Sequence, residues 1–129
     1  MKTPQLPFPK LSEAIGIPNE VWLKREDLHK YGSHKGRSIP LMIMEYAKLG
    51  VTNFIISSSG NAALAAAQAI DTYNRNHQTT LSLVILVGEN IDAKKLNLLK
   101  TAFSNPLINT RTPSGPNSRH ALVWFSSPL

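Results

Sequence analysis

A lysine with small and basic neighbours is the first residue of this sequence that suggests chemistry. Lys35 lies in the segment GSHKGRS, residues 32–38, directly after His34 and two residues before Arg37. Desolvation and nearby positive charge both favour the neutral form of an amine, and a neutral lysine can attack a carbonyl carbon to form a Schiff base. Most lysines are solvated and have no such role. Taken alone, Lys35 is therefore either a carbonyl-binding nucleophile or a surface cation.

A serine-rich turn about 25 residues later is the second candidate. The segment SSSGN comprises Ser57, Ser58, Ser59, Gly60 and Asn61, and it stands between a short apolar run and an alanine-rich run. Hydroxyl groups and free amides at a helix N-terminus bind carboxylates and phosphates, and glycine lets a ligand approach the backbone closely. Serine or asparagine before a helix is also an ordinary N-cap. The turn therefore predicts either an anion site or a simple cap.

Positive charge is concentrated around the lysine motif. The chain has 14 lysines and arginines against 8 acidic residues, and segment 24–37 holds five of these cations but only two acids. Such a patch is typical of a surface that binds an anionic ligand, nucleic acid or membrane, or of a solvated loop. A nucleic-acid-binding domain is the weakest of these alternatives, because only Trp22 and Tyr31 accompany the cations and no nucleic-acid motif is present.

Length and composition predict one soluble domain with its own core. The 129 residues are 42% apolar and 17% charged, and no stretch reaches the ~18 to 20 apolar residues that span a bilayer. We therefore expect a cytoplasmic protein without a membrane segment or signal peptide. Cysteine is absent and the four histidines show no paired ligand spacing, so neither a disulfide nor a metal site is expected.

Three segments are predicted in the first 50 residues. Three prolines among the first ten residues disfavour regular structure, so residues 1–19 are expected to form an extended arm. The run EVWL, residues 20–23, is typical of a short strand. After Lys35, apolar residues at helical spacing predict an amphipathic helix with Pro40 in its first turn and Gly50 at its end. The apolar stripe comprises Ile39, Met42, Ile43, Tyr46 and Leu49.

The following residues alternate between strand and helix patterns. Residues 54–56 and 80–88 are apolar runs typical of buried parallel strands, and the alanine-rich run between them predicts a buried helix. A third helix is expected with Asn90 or Asp92 as its N-cap. Its apolar stripe comprises Leu96, Leu99 and Phe103. This alternation predicts an α/β fold, a three-layer α/β/α arrangement with a parallel sheet.

The C-terminal residues depart from this pattern. Residues 107–111 could form one more strand, but the region is otherwise rich in proline and ends in an apolar segment. We therefore predict an N-terminal arm over 1–19, a domain over 20–105 and an irregular tail over 106–129. The chain is expected to be truncated or frameshifted after about residue 105.

The lysine segment and the serine turn, as a pair in this order, resemble a known family. LKREDLHKYGSHKGRS followed by ISSSGNAALAAA is similar to the N-terminal part of the pyridoxal-phosphate enzymes of the tryptophan synthase β-like superfamily, fold type II. That group includes threonine synthase, threonine and serine dehydratases, serine racemase and cysteine synthase. The resemblance covers about residues 20–103. It implies a partial tryptophan synthase β-like fold, pyridoxal 5′-phosphate as cofactor, and a lyase or synthase that acts on a small hydroxy-amino acid.

The resemblance also implies roles for individual residues. Lys35 would form the Schiff base with the cofactor aldehyde and later, as a free amine, move the α-proton. Asn61 would bond the phenolic oxygen of the pyridine ring, and Ser58, Ser59 and Gly60 would receive the substrate carboxylate. Ser59 also holds the position of a second catalytic acid/base in the racemases of this group. The cofactor would be the electron sink, so that the protein only orients the substrate and transfers protons.

Two departures from the family pattern leave the reaction open. His34 stands where the threonine-acting members commonly have phenylalanine, and it is similar to the His-Lys pair of tryptophan synthase β chains. The serine turn, however, is similar to the branch that contains threonine synthase and the threonine and serine dehydratases, to which we assign the chain by resemblance. The family's glycine-rich phosphate loop and its partner for the ring nitrogen have no counterpart in the 129 residues, so we expect the chain alone to be inactive and to self-associate. The alternative is a non-catalytic module of the same fold that needs a partner chain. The complete protein is expected to take a small amino-acid substrate and could form a homo-oligomer.

Overall fold

Two sheets and four α-helices are formed by residues 2–101 and 105–112, which are the residues that this computed structural model describes. In chain order the elements are β1 (Gln5–Pro7), α1 (Pro9–Ala14), β2 (Trp22–Lys24), α2 (Lys35–Lys48), β3 (Asn53–Ser57), α3 (Asn61–His77), β4 (Ser82–Leu86), α4 (Ala93–Thr101) and β5 (Ile108–Arg111). The predicted tail beyond residue 112 and Phe103 of the predicted stripe lie outside the described residues. The division of the chain at residues 20 and 105 stays a prediction.

The N-terminal segment is more regular than its prolines predict. β1 pairs antiparallel with β2, with Leu6 opposite Leu23, and α1 lies between these two strands in the chain. The short strand predicted after residue 20 is thus confirmed, but the expectation that the prolines disfavour regular structure in the first ten residues was wrong. Proline disrupts helix interiors and central strands, whereas Pro9 is the first residue of α1, a position that needs no backbone donor.

A parallel sheet orders the rest of the described chain. β3, β4 and β5 pair in that order, with Phe54 opposite Leu83 and Leu83 opposite Ile108. Each pair of neighbouring strands is connected by one helix, as parallel pairing requires. The predicted α/β fold with a parallel sheet is therefore confirmed, and the strand expected near residues 107–111 is present as β5.

The core forms where α3 packs on the sheet and on α2. α3 buries six apolar residues, five of them alanines that let its backbone approach its neighbours closely. They are Ala63, Ala65, Ala66, Ala67, Ala69 and Ile70. Alternate strand residues complete the core: Phe54, Ile56, Leu83 and Ile85. The prediction of a buried alanine-rich helix is confirmed.

The amphipathic helix α2 was predicted correctly in position but not in all details. Ile39 and Ile43 are buried, whereas Leu49 is 78% exposed because α2 ends at Lys48 and Leu49 no longer follows the helical stripe. Pro40 is the sixth residue of α2 and not a first-turn residue, so the helix lacks one internal hydrogen bond at this point.

The third predicted helix, α4, begins as the sequence indicates. The Asp92 side chain accepts hydrogen bonds from the backbone amides of Lys94 and Lys95, at 2.9 and 3.1 Å, so that of the two predicted N-caps Asp92 caps the first turn. Leu99 is buried in the core. In the described ranges no helix is both long enough and apolar enough to cross a membrane.

One buried asparagine without any sequence signal joins α3 to β4. The Asn74 side chain accepts hydrogen bonds from Leu81 N at 2.8 Å and from the Thr79 hydroxyl at 2.9 Å, and it donates to Leu81 O at 2.9 Å. Gln78, in the left-handed conformation with φ 52°, ends the helix. These contacts satisfy both backbone groups of Leu81 just before β4 starts and thereby fix β4 relative to α3.

Candidate active site

Lys35 is the first residue of α2, and its side chain is exposed. Within the described part of the chain it forms no ion pair. The sequence led us to expect a desolvated amine, but the described residues do not bury it. An amine at a helix start that is accessible and not held by a carboxylate is free to bind a carbonyl group.

The serine turn lies at the carboxyl end of β3, where Ser58, Ser59 and Gly60 connect β3 to α3. Ser58 N donates a hydrogen bond to Leu86 O at 3.2 Å, which ties the turn to the end of β4. Gly60 N donates to the Ser58 hydroxyl oxygen, also at 3.2 Å. The Gly60 amide, which we expected to receive a ligand carboxylate, is therefore engaged within the turn itself.

The N-terminus of α3 is open toward solvent. Ser59 and Asn61 are exposed, and within the described chain no side chain caps the helix, so the simple-cap alternative does not apply. A Cβ atom added at Gly60 would meet no other atom within 4 Å. Uncapped first-turn amides with free space in front of the backbone are suited to an anionic group.

The lysine and the serine turn lie at the same edge of the parallel sheet. Ile39, one turn after Lys35, lines a small cavity of about 20 Å³ together with Ile56, the penultimate residue of β3. The first turn of α2 therefore lies beside the carboxyl end of β3, where the serine turn begins. This is the edge at which open parallel sheets bind their ligands.

Gly36 lets the preceding loop pack directly on the first turn of α2. A Cβ atom at this position would lie 2.5 Å from Tyr31 Cβ and 2.6 Å from His29 Nδ1. His29 Nδ1 accepts a hydrogen bond from Tyr31 N at 3.3 Å, and the two rings stack with centroids 5.8 Å apart. Only glycine fits there, so the residue after the lysine is part of its support. The sequence contained this signal, but we had not assigned it a role.

Ser33, two residues before Lys35, was also missed by sequence reasoning. The residue is 7% exposed, and its hydroxyl oxygen is buried without a hydrogen-bond partner among the described residues. Leaving such a group unsatisfied costs about 1 to 3 kcal/mol, so buried hydroxyls usually have partners. A polar group bound next to Lys35 is one way to supply the missing partner.

Ion pairs neutralise part of the basic segment. The Arg37 guanidinium donates to the Glu26 carboxylate at 2.9 to 3.2 Å, and together with the Thr3 hydroxyl it lowers the pKa of Glu26 from 4.5 to about 2. Arg25 pairs with Asp27 at 2.6 Å and lowers the pKa of that carboxyl. Two of the five cations in segment 24–37 are thus held by acids of the same segment, which weakens the nucleic-acid alternative further.

These residues fit the aldehyde of a cofactor and, separately, the anionic group of a substrate. The aldehyde carbon suits the accessible Lys35 amine, and the open turn before α3 suits an anion. The Ser33 hydroxyl, two residues before Lys35, is buried and has no hydrogen-bond partner among the described residues. Within the described ranges no cluster of histidine, aspartate and glutamate side chains could hold a metal ion.

Known proteins match this chain over most of its described length. A family model described as pyridoxal-phosphate dependent enzyme matches residues 1–102. The chain belongs to this family. The resemblance inferred from the two motifs is thereby confirmed, and the match also includes the N-terminal segment before residue 20.

Individual members of the pyridoxal-phosphate dependent family show the same likeness. The human protein named serine dehydratase-like is 43% identical over 67 residues, which are 52% of this chain and 20% of that protein. Threonine synthase of Synechocystis is 34% identical over 65 residues, 50% of this chain and 17% of that protein. The structure of a pyridoxal 5′-phosphate-dependent aspartate racemase superposes with a TM-score of 0.66 at 20% identity, over 87% of this chain and 33% of that chain. The chain thus has a partial tryptophan synthase β-like fold and matches about a fifth of the length of its curated relatives.

Proposed function

We propose that this chain is part of a pyridoxal-phosphate-dependent lyase or synthase that acts on a small hydroxy-amino acid of the serine or threonine type. One observation carries the proposal: in a member of this family, an accessible lysine and an open serine turn lie at the same edge of the parallel sheet. The relatives named serine dehydratase-like and threonine synthase support the substrate class.

Lys35 is the residue that binds the cofactor covalently in this proposal. When bound, the cofactor supplies an electron sink for the charge that develops at the substrate α-carbon. The Lys35 amine, once released, takes the proton from that carbon and returns it. Lys35 is the first residue of α2 and forms no ion pair within the described chain, so its amine is able both to bind the cofactor and to transfer the proton.

The serine turn orients the substrate. Ser59 is exposed, and its hydroxyl together with the uncapped amides of α3 receives the substrate carboxylate; in a racemising member of the group Ser59 would also be the second acid/base. Ser58 contributes by holding the turn in shape, because its hydroxyl already accepts the Gly60 amide. Asn61, the first residue of α3, bonds the phenolic oxygen of the cofactor ring.

Activity in this proposal belongs to the whole protein. The 129 residues contain no counterpart of the family's glycine-rich phosphate loop, and they match only about a fifth of the curated relatives. A phosphate held without that loop lacks several charge-assisted hydrogen bonds of about 1.5 to 3 kcal/mol each, which weakens cofactor binding by orders of magnitude. We propose that residues outside this sequence supply the loop, on the same polypeptide or on a partner chain.

The cofactor assignment is tested by reductive labelling. The complete protein is mixed with limiting pyridoxal phosphate and reduced with borohydride, and the modified peptides are mapped by mass spectrometry. We expect the pyridoxyl group on Lys35, and Lys30→Arg should leave that label unchanged, whereas Lys35→Arg should abolish it. A label spread evenly over all lysines would favour the non-catalytic module, and a label concentrated on another lysine would contradict the assignment of Lys35.

The roles in the turn are separated by two neighbouring substitutions in the complete protein. Ser59→Ala should lower turnover of serine and threonine and leave the absorbance of the bound cofactor unchanged, because it removes only a substrate contact. Asn61→Ala should shift that absorbance, because it removes a contact to the cofactor ring. The reverse pattern would show that the two roles are assigned the wrong way round.

A further inference from the structure

We propose that Thr3, Glu26 and Arg37 form a clamp that positions the Lys35 amine, so that Arg37 is a positioning residue for the proposed reaction. The inference rests on the proposed function of Lys35. The three clamp residues act through the backbone of the helix that carries the amine.

The clamp connects three segments that are far apart in the sequence. Arg37 Nε donates to both carboxylate oxygens of Glu26, at 3.2 and 3.0 Å, and Arg37 Nη2 donates to Glu26 Oε1 at 2.9 Å. The Thr3 hydroxyl donates to Glu26 Oε1 and accepts from Arg37 Nη2. Thr3 precedes β1, Glu26 follows β2 and Arg37 lies in the first turn of α2. The paired strands β1 and β2 are thereby tied to the start of α2.

The first turn of α2 needs such a tie because its own hydrogen bonding is incomplete. Pro40 has no N–H group, so it cannot bond the carbonyl oxygen of Gly36, four residues earlier. The N-cap residue His34 makes no side-chain hydrogen bond to the turn. The direction of the first turn, and with it the direction of Lys35, therefore depends on contacts from outside the helix.

Helix geometry places the clamp on the side of the turn away from the amine. Residues two apart on an α-helix point to nearly opposite faces, since each residue turns the helix by about 100°. Arg37 is two residues after Lys35 and thus holds the back of the same turn. This arrangement fixes the turn while it leaves the space in front of Lys35 open.

A second ion pair in the same segment supplies a matched control. Arg25 and Asp27 are bonded at 2.6 to 3.1 Å, with chemistry like that of Arg37 and Glu26. This pair joins residues only two apart and does not reach α2. Breaking it should alter local charge to the same extent but should not alter the direction of Lys35.

The test compares two kinds of labelling in the complete protein. Limiting pyridoxal phosphate followed by borohydride reports how well each lysine is placed to hold the cofactor, and acetic anhydride reports only how accessible each amine is. We expect Arg37→Gln and Glu26→Gln to lower the share of the pyridoxyl label on Lys35 by about tenfold, the size of effect that a small misplacement produces. Acetylation of Lys35 should not change, and Asp27→Asn should alter neither label.

Two further variants distinguish loss of the clamp from loss of the fold. Thr3→Val removes only the bridging hydroxyl, and we expect an intermediate loss of the Lys35 label. The exchange Glu26→Arg with Arg37→Glu should restore part of that label, which a merely destabilised helix would not show. An unchanged pyridoxyl share in folded Arg37→Gln and Thr3→Val would overturn the clamp. Absence of the label from Lys35 in the wild type would instead overturn the proposed function.

Discussion

Replacement of Gly36 by alanine tests how Lys35 is supported, because alanine would favour the helix at this position but would also overlap with the preceding loop. In an unobstructed helix the change would stabilise the fold by about 1 kcal/mol, since alanine is the better helix former. Here the new Cβ atom would lie 2.5 Å from Tyr31 Cβ and 2.6 Å from His29 Nδ1. These distances are about 1 Å shorter than normal contacts between such atoms.

The obstruction should outweigh the gain in helix propensity. Tyr31 Cβ is attached to the backbone, so no rotation of a side chain removes the overlap, and the loop before α2 must move as a whole. Overpacking of this kind costs about 1 to 3 kcal/mol. With the cost near the upper end of that range and about 1 kcal/mol regained from the helix, we expect Gly36→Ala to lower the free energy of unfolding by about 2 kcal/mol.

Urea unfolding followed by circular dichroism measures this change, and Gly88→Ala is the control. A Cβ atom at Gly88 would meet nothing within 4 Å, and the residue does not have a positive φ, so its substitution should change the free energy of unfolding by less than about 0.5 kcal/mol. If Gly36→Ala were neutral or stabilising, residues 29–31 would not pack on α2 as described, and the account of how Lys35 is supported would fail.

Two more predictions concern Asn74 and the clamp. Asn74→Ala removes three hydrogen bonds of 2.8 to 2.9 Å and leaves two buried backbone groups unpaired, so we expect the free energy of unfolding in urea to fall by about 2 to 5 kcal/mol. Asn76 is exposed, and an equal fall for Asn76→Ala would contradict this explanation. The pKa of Glu26 is lowered from 4.5 to about 2, so its pairing with Arg37 stabilises the fold above about pH 4.5, and this contribution is lost as the pH falls toward 2. Urea midpoints measured over that range should fall less steeply for Glu26→Gln than for the wild type, and parallel curves would show that the pair does not form in solution.

The central part of the fold could be predicted because its signals are local. The apolar runs that became β3 and β4 and the alanine-rich run that became α3 each carry a periodicity that one window of sequence reveals. The strand β1 was not predicted, because its three residues form a strand only by pairing with β2, and that pairing is not visible in a short window of sequence. Burial of the α2 stripe was overestimated at Leu49, since periodicity does not show where the core ends.

The candidate site also has features that the local sequence predicts and features that depend on tertiary contacts. The residue types and the order of Lys35 and the serine turn were sufficient to indicate the family, because each motif consists of a few consecutive residues. The burial of the Ser33 hydroxyl and the bridging of Thr3 to Arg37 depend on relative positions in space. No composition or spacing rule contains that information.

The order of the parallel strands has a practical consequence for handling the protein. β3 and β5 are the outer strands, and in the described ranges each has a neighbour on one side only. The outer row of backbone N–H and C=O groups on β3 is accompanied by the side chains of NFIIS, none of them charged. Charged residues on an edge strand are a common protection against pairing with further strands, and β3 lacks that protection. If copies of this chain associate through the sheet, the uncharged strand β3 therefore opposes the addition of a further strand less than an edge with charged side chains would.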